Sequence, residues 1–337
     1  MTATKVAQDS SGSLRRRSNF SVVSILENYA LVLLLALVFV FFTVNPQSSS
    51  TFPTLANLNV ILGSQAVVSL VALAALFPIV AGYFDFSLGA IAATAQVASA
   101  GLMASAHAPL WVAVLVPIIG GGLIGVVNGA LVSRLQMPPF VTTLGVAILL
   151  AGLIQWFTNG QSIVAGINPA IMQFGSSRLL GLPTVVFVVL AVAVAAWYFF
   201  THTPYGRSLY AIGSNASSAK LVGIRVDRNV WTSFIISGVI AGGAGVMQLS
   251  RQGSATAGDG NSLLFAALAA VFLGATAIKP GFFNVVGTIV GAIFVSISVS
   301  GLTLSGASGW ASPVFNGLAL LVAVGLSTYL GRRKRRS

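Results

Sequence analysis

The sequence contains no cysteine, and only 7% of its residues are charged. The missing cysteines exclude disulfides, thiol catalysis and thiolate metal sites, and they leave the redox compartment undetermined. Soluble domains carry about 25% charged residues, so a chain with so few charges cannot present a mainly water-facing surface. Because 56% of the residues are apolar, most of the surface is predicted to face lipid.

The apolar segments also lack the alternation of apolar and polar residues that a transmembrane β-barrel needs. Residues 31–42, for example, are apolar on every side. The 36 glycines follow no Gly-X-Y period, which excludes collagen, and in such an apolar chain they indicate close helix contacts and interrupted helices. We therefore predict an all-α integral membrane protein.

Sequence patterns for catalysis are missing as well. The chain has no G-x-x-x-x-G-K-[ST] phosphate-binding loop, so ATP, if used, must be hydrolysed by another chain. The few acidic residues form no carboxylate pair, and the two histidines, His107 and His202, lie at the ends of predicted spans without partners. We predict neither an enzyme nor a metal or cofactor site.

The positions of the charges predict about ten membrane-spanning helices. A span needs roughly 20 mostly apolar residues, and a charge at its centre costs about 2.5–3.5 kcal/mol, so charges mark span boundaries. We predict a single transmembrane domain over 28–331, between an N-terminal tail (1–27) and a basic C-terminal tail (332–337), with 159–177 as a loop. The predicted spans are 28–44, 60–81, two within 86–133 that meet near His107, 140–158, 183–201, 229–250, 260–278, and two within 280–331 that meet near 305–312.

The distribution of basic residues predicts the orientation. An even number of spans puts both termini on one side, and threading ten spans leaves 15 of the 17 lysines and arginines on that side. By the positive-inside rule both termini are cytoplasmic, and only Arg178 and Arg251 lie outside. The net charge of +12 therefore reflects membrane orientation in an inner-membrane protein, and nucleic-acid binding is not indicated.

The sequence predicts ordered local structure in the longest cytoplasmic connection, residues 202–229. Pro204 and Gly206 are predicted to end the preceding helix, and Asn215 is a plausible N-cap for a short helix. Such a segment suits contact with a cytoplasmic motor protein. A solvated basic loop that only sets the topology is the alternative.

This loop resembles the coupling segment of ribose/xylose-type permeases of ABC importers, in which T-x-x-G-R precedes Y-A-I-G-x-N and then G-I. Three further segments, 82–89, 128–132 and 138–145, resemble the family's G-x-x-D-L-S-x-G, N-G-x-L-V and P-P-F-I-x-T-L-G motifs. Phe86 departs from the family by replacing the usual Leu. The residues that match within the loop are Thr203, Gly206, Arg207, Tyr210, Ala211, Ile212, Gly213, Asn215, Gly223 and Ile224.

The resemblance implies a type II ABC importer permease that carries a small polar solute, in the first place a monosaccharide. It also implies two permease copies, a pair of cytoplasmic ATPase subunits and an external solute-binding protein. Branched-chain amino-acid and nucleoside permeases of the same superfamily remain alternatives, as does a stand-alone secondary transporter. The residues that it implies for coupling to the ATPase are Thr203, Gly206, Arg207, Tyr210, Gly213, Asn215, Ala219, Gly223 and Ile224.

Polar residues among the apolar segments have two interpretations. Asp85 is the one acidic residue embedded there, and it either contributes to a functional polar position or caps the helix from Ser87 onward. The other candidates either line a translocation pathway or pack helices together. The full set is Asp85, Ser87, Gln65, Asn128, Thr142 and Thr143.

A loose internal similarity is the last feature of the sequence. Residues 125–132 echo residues 284–291, which indicates either two related halves or chance similarity between apolar segments.

Overall fold

Helices make up most of the described part of the chain. The structure, a computed structural model, describes the backbone of residues 22–336 except Ala257, and the side chains of residues 29–326 except Ala257 and Asp259. Most of the predicted tail 1–27 lies outside the described residues, and 332–336 continue the last helix. The helices are α1 (Val22–Val44), α2 (Leu55–Val80), α3 (Leu88–Ala104), α4 (Leu110–Ser133), α5 (Pro139–Thr158), α6 (Pro169–Ser176), α7 (Thr184–His202), α8 (Pro204–Ser214), α9 (Ala216–Leu221), α10 (Val226–Gln252), α11 (Asp259–Gly274), α12 (Val285–Leu304) and α13 (Ala311–Arg336).

Six of these helices are long and apolar enough to cross a membrane: α2, α4, α5, α7, α10 and α12. Four shorter apolar helical segments lie within α1, α3, α11 and α13. Each of the ten predicted spans coincides with one of these ten helices, and the predicted turn near His107 separates α3 from α4. The chain is therefore a largely helical protein with several membrane-crossing helices.

Two local predictions were wrong. The predicted loop 159–177 contains α6, where the Asn168 side chain accepts a hydrogen bond from the Ala170 backbone N–H (2.9 Å) and Pro169 occupies the first turn. Gly206 does not end a helix, because it lies inside α8. Pro204 does mark the break between α7 and α8, as predicted.

Helix α2 forms the centre of the bundle. Its residues 69–80 are all buried, and it packs against α3, α7, α10, α11 and α12. Thr54 caps its first turn by accepting a hydrogen bond from the Asn57 backbone N–H (3.2 Å).

Helices α4 and α10 touch backbone to backbone along a seam of glycines. A Cβ added at Gly121 would overlap the Gly238 carbonyl oxygen, and one added at Gly125 would overlap the Phe234 carbonyl oxygen. Small residues four apart let membrane helices approach this closely, so van der Waals contact between backbones holds the pair together.

The bundle has two distinct ends. Helices α8 and α9 lie at one end, which we call the α8 end, together with the last turn of α2 and the first turns of α10 and α12. Helix α6 lies at the other end, which we call the α6 end. There Gly175 sits against the Ser250 backbone, and Nη1 of Arg251 donates to the Gly175 carbonyl (2.9 Å).

Candidate functional site: the coupling segment and two buried polar regions

Helix α8 is fixed against the end of α7. Thr203 caps it by accepting a hydrogen bond from the Gly206 backbone N–H (3.1 Å). Gly206 lies directly against the Phe199 carbonyl, where any side chain would overlap the backbone. Leu209 and Ile212 are buried on the same face of α8. The segment is thus packed onto the membrane helices as a rigid element.

Two tyrosines of α8 attach the segment to other helices. The Tyr210 hydroxyl donates to the Phe283 carbonyl (2.7 Å), just before α12, and the Tyr205 hydroxyl donates to the Asn229 carbonyl (3.2 Å) in α10. Burial raises the pKa of each tyrosine to about 12. Both hydroxyls therefore stay protonated, and remain donors, throughout the physiological pH range.

The end of α8 rests on the end of α2, and α9 turns away from it. A Cβ at Gly213 would overlap the Val80 carbonyl oxygen, so the two backbones are in direct contact. Asn215 caps α9 by accepting a hydrogen bond from the Ser218 backbone N–H (2.9 Å), which confirms the predicted N-cap. Ala219 is buried beneath α9.

The tip of α9 is apolar and exposed. Leu221 is 89% exposed and Val222 is 77% exposed, and Gly223 then reverses the chain in the left-handed region (φ 86°). An exposed apolar tip of this kind is typical of a protein interaction site. The exposed cations within residues 202–229 are Arg207, Lys220, Arg225 and Arg228.

A buried polar cluster lies near the same end of the bundle. Oδ1 of Asp85 accepts hydrogen bonds from the Ser87 backbone N–H (2.9 Å) and the Ser87 hydroxyl (2.5 Å). Nδ2 of Asn128, from α4, donates to the Ser87 hydroxyl oxygen (2.7 Å). The Thr143 hydroxyl, from α5, accepts from the Phe86 backbone N–H (3.0 Å). The cluster therefore joins the turn before α3 to α4 and α5.

The structure places the six polar residues singled out from the sequence in different parts of the bundle. Asp85, Ser87, Asn128 and Thr143 meet in the cluster, and the Thr142 hydroxyl donates to the Pro138 carbonyl (3.0 Å) on the same helix. Gln65 lies elsewhere, in the half of α2 nearer the α6 end. The N-cap position of α3 is Ser87, without a side-chain capping bond, while Asp85 organises the turn just before it.

Two cavities lie in the half of the bundle nearer the α6 end. One, of about 550 Å³, is lined by apolar side chains of α2, α4, α6, α7 and α10, with Ser250 as its one hydroxyl-bearing residue. The other, of about 490 Å³, lies between α2, α11, α12 and α13. It contains Gln65 together with many hydroxyl and amide side chains.

Comparison with known proteins identifies the family. Residues 57–324 match the family described as the branched-chain amino acid transport system / permease component. The ribose import permease protein of Escherichia coli K12 is 32% identical over 313 residues, covering 91% of this chain and 95% of the relative. That of Bacillus subtilis is 32% identical over 269 residues, covering 80% and 83%. The D-allose transport system permease protein of Escherichia coli K12 is 28% identical over 306 residues, covering 91% and 93%.

The chain belongs to this permease family. It is a multi-pass inner-membrane transport subunit and not an enzyme, as predicted. No solved structure matches the chain.

Sequence reasoning missed two sets of residues in this permease. It named Tyr210, Gly206 and Gly213, which attach the segment to the bundle, but not Tyr205, nor Leu221 and Val222 at the exposed tip. It also missed most of the polar cavity, although Ser296, Ser300 and Thr303 recur at helical spacing in an otherwise apolar helix. That spacing is the signal that could have revealed a polar face.

Proposed function

We propose that the chain is the permease subunit of an ATP-driven importer that carries a monosaccharide across the inner membrane. The observation that carries the proposal is the similarity, over most of the chain, to permeases named for ribose and D-allose import. A further relative, at 28% identity, is the galactose/methyl galactoside import permease protein of Escherichia coli K12. No observation on this chain favours an amino acid or a nucleoside as the solute.

The proposed membrane arrangement has ten crossings and both termini in the cytoplasm. The coincidence of ten predicted spans with ten apolar helices supports the count, and the 15-to-2 distribution of cations supports the orientation. In this arrangement the α8 end is cytoplasmic. The proposal of two related halves rests on the similarity between residues 125–132, in α4, and residues 284–291, at the start of α12.

The proposed partners are two cytoplasmic ATPase subunits, which bind the ATP, an external solute-binding protein and a second copy of this chain. The attached segment α8–α9 supports the first of these, because its exposed apolar tip is available to a partner at the proposed cytoplasmic end. In this assignment Thr203, Gly206, Tyr210, Gly213, Asn215, Ala219 and Ile224 hold the segment in place. Arg207, Leu221, Val222 and Gly223 face the ATPase.

Solute uptake tests the proposed function. The permease is expressed with a candidate ATPase and a candidate solute-binding protein, in cells that lack their own sugar importers. Uptake of radiolabelled ribose, D-allose, galactose, leucine and adenosine is then measured. We expect uptake of at least one monosaccharide that depends on all three components. Uptake of leucine or adenosine without any monosaccharide would contradict the proposal.

A further inference from the structure

The cavity between α2, α11, α12 and α13 has the size and chemistry of a site for a neutral, hydroxyl-rich solute. Its volume of about 490 Å³ lies within the range of roughly 300–1,000 Å³ for small-molecule sites. Nine of its seventeen lining residues carry a hydroxyl or a carboxamide, and none is charged. The other cavity in this half of the bundle is lined by apolar side chains apart from one serine, so polarity distinguishes the two.

Two side chains in this cavity have unsatisfied hydrogen-bonding atoms. Nε2 of Gln65 and Oδ1 of Asn316 are buried and have no hydrogen-bond partner among the described residues. Asn316 itself is only 8% exposed. Buried polar atoms are normally paired, so an unpaired donor and an unpaired acceptor in two side chains that line one cavity indicate that each side chain turns toward the cavity to reach a partner there. A hydroxyl group both donates and accepts, and can therefore satisfy both kinds of atom.

The remaining lining suits the same class of solute. Ser64, Ser296, Ser300 and Thr303 add hydroxyl groups that rotate to either donate or accept. Val68 and Val299 provide apolar surface against which C–H groups can pack. A sugar acid or sugar phosphate would find no cation in this lining and would lose its hydration without compensation.

The position of the cavity suits entry from one side of the membrane. Asn57, Thr303 and Ser312 lie at the ends of α2, α12 and α13 nearer the α6 end, where the cavity begins. Under the proposed orientation that end faces the outside, where the binding protein delivers the solute.

We propose that this cavity holds the transported solute near the outer side of the permease, with Gln65 and Asn316 as specificity-determining hydrogen-bonding residues for a neutral polyhydroxylated molecule of monosaccharide size. This inference rests on the proposed function. The inference adds a location and a chemical class of solute to the proposed function.

Single-cysteine labelling tests the location, because the natural sequence has no cysteine to react. Gln65→Cys and Ser300→Cys are compared with Ser69→Cys, a buried position on α2 outside the cavity lining. In intact cells, a charged, membrane-impermeant thiol reagent is expected to label the first two and not the third. Labelling by a lipid-soluble reagent only would show that lipid occupies the cavity and would overturn the inference, as would no labelling at all.

Transport by Gln65→Leu and Asn316→Leu tests the chemistry. Loss of one neutral hydrogen bond is expected to lower the kcat/KM for uptake about three- to tenfold, whereas Ser69→Ala keeps the wild-type value. The amount of each variant in the membrane is measured in parallel. If a leucine variant fails to reach the membrane, the cysteine-labelling result alone decides whether the inference stands. Wild-type uptake that both leucine variants retain in full would overturn the inference and leave the proposed function intact. A wild-type permease that carries no monosaccharide would refute both.

Discussion

Asp85 accepts hydrogen bonds within a local turn, and only one of its two carboxylate oxygens takes part in them. Oδ1 accepts both hydrogen bonds from Ser87, while Oδ2 has no partner among the described residues. An asparagine can supply the same accepting oxygen at Oδ1. The geometry therefore favours a role in shaping the turn before α3 over a role in carrying protons.

We expect Asp85→Asn to retain most of the transport activity, because the amide oxygen preserves both bonds to Ser87. Asp85→Leu removes the acceptor and leaves the buried Ser87 N–H unpaired, which costs about 1–3 kcal/mol, so the folded yield should fall. Size-exclusion chromatography of the solubilised permease measures the yield, and solute uptake measures the activity. Loss of transport in well-folded Asp85→Asn would show that the carboxylate charge itself is needed.

At the scale of helices, the seam between α4 and α10 offers a controlled test of backbone packing. Gly125 faces the Phe234 carbonyl, whereas a Cβ at Gly120, in the same helix, would have no atom within 4 Å. The two glycines share chemistry and helix, and differ in what they touch.

Gly125→Leu is expected to force α4 and α10 apart and to destabilise the fold by about 1–3 kcal/mol or more, as overpacking does. Gly120→Leu should leave the melting temperature in detergent nearly unchanged. Thermal denaturation followed by fluorescence compares the two variants with the wild type. Equal melting temperatures for the two would argue against close contact at the seam.

The tip of α9 gives a second prediction at this scale. Replacing both Leu221 and Val222 with Asp should abolish co-purification of the ATPase subunit, because two charges cannot be buried in an apolar interface without large cost. The permease should still fold, since both side chains are exposed. Val164→Asp is the control, because it changes a valine that is 68% exposed at the α6 end. If the double variant still binds the ATPase, the ATPase contacts a different part of the permease.

For the whole molecule, the orientation is the property to measure. Reporter tags placed after Ser10, between Ala216 and Ala219, and after Ser337 should all report the cytoplasm, since the cations gather on that side. A tag near Gly166, before α6, should report the outside. An external signal from the 216–219 position would contradict the ten-crossing arrangement.

Many ends of the apolar helices were predictable because lipid excludes charge, so cations and acids mark them, while polar turns such as those near His107 and 305–312 mark others. Helix α6 was missed because it has eight residues and a mixed composition. The predicted coupling segment rests on its motif, but a motif does not say which way a side chain faces. Gly206, Tyr210 and Gly213 face inward, and the unmatched Leu221 faces out.

The polar cavity was beyond prediction for a different reason. Its residues come from α2 and from the consecutive helices α11, α12 and α13 near the other end of the sequence, and only the folded chain brings Gln65 and Asn316 to one place. No local pattern encodes such proximity.

The glycine seam also divides the molecule mechanically. Glycine backbones packed against carbonyl oxygens of the facing helix hinder sliding or rotation of α4 against α10, so these two helices are expected to move as a single strut. The side of the bundle around the polar cavity, between α2, α11, α12 and α13, has the free volume that the seam lacks. Because Gly213 rests on the last carbonyl of α2 and Tyr210 bonds just before α12, a push on α8 reaches this looser side as well as α10, to which Tyr205 is bonded. We therefore expect the solute pathway to open and close around the polar cavity, where the helices are packed least tightly.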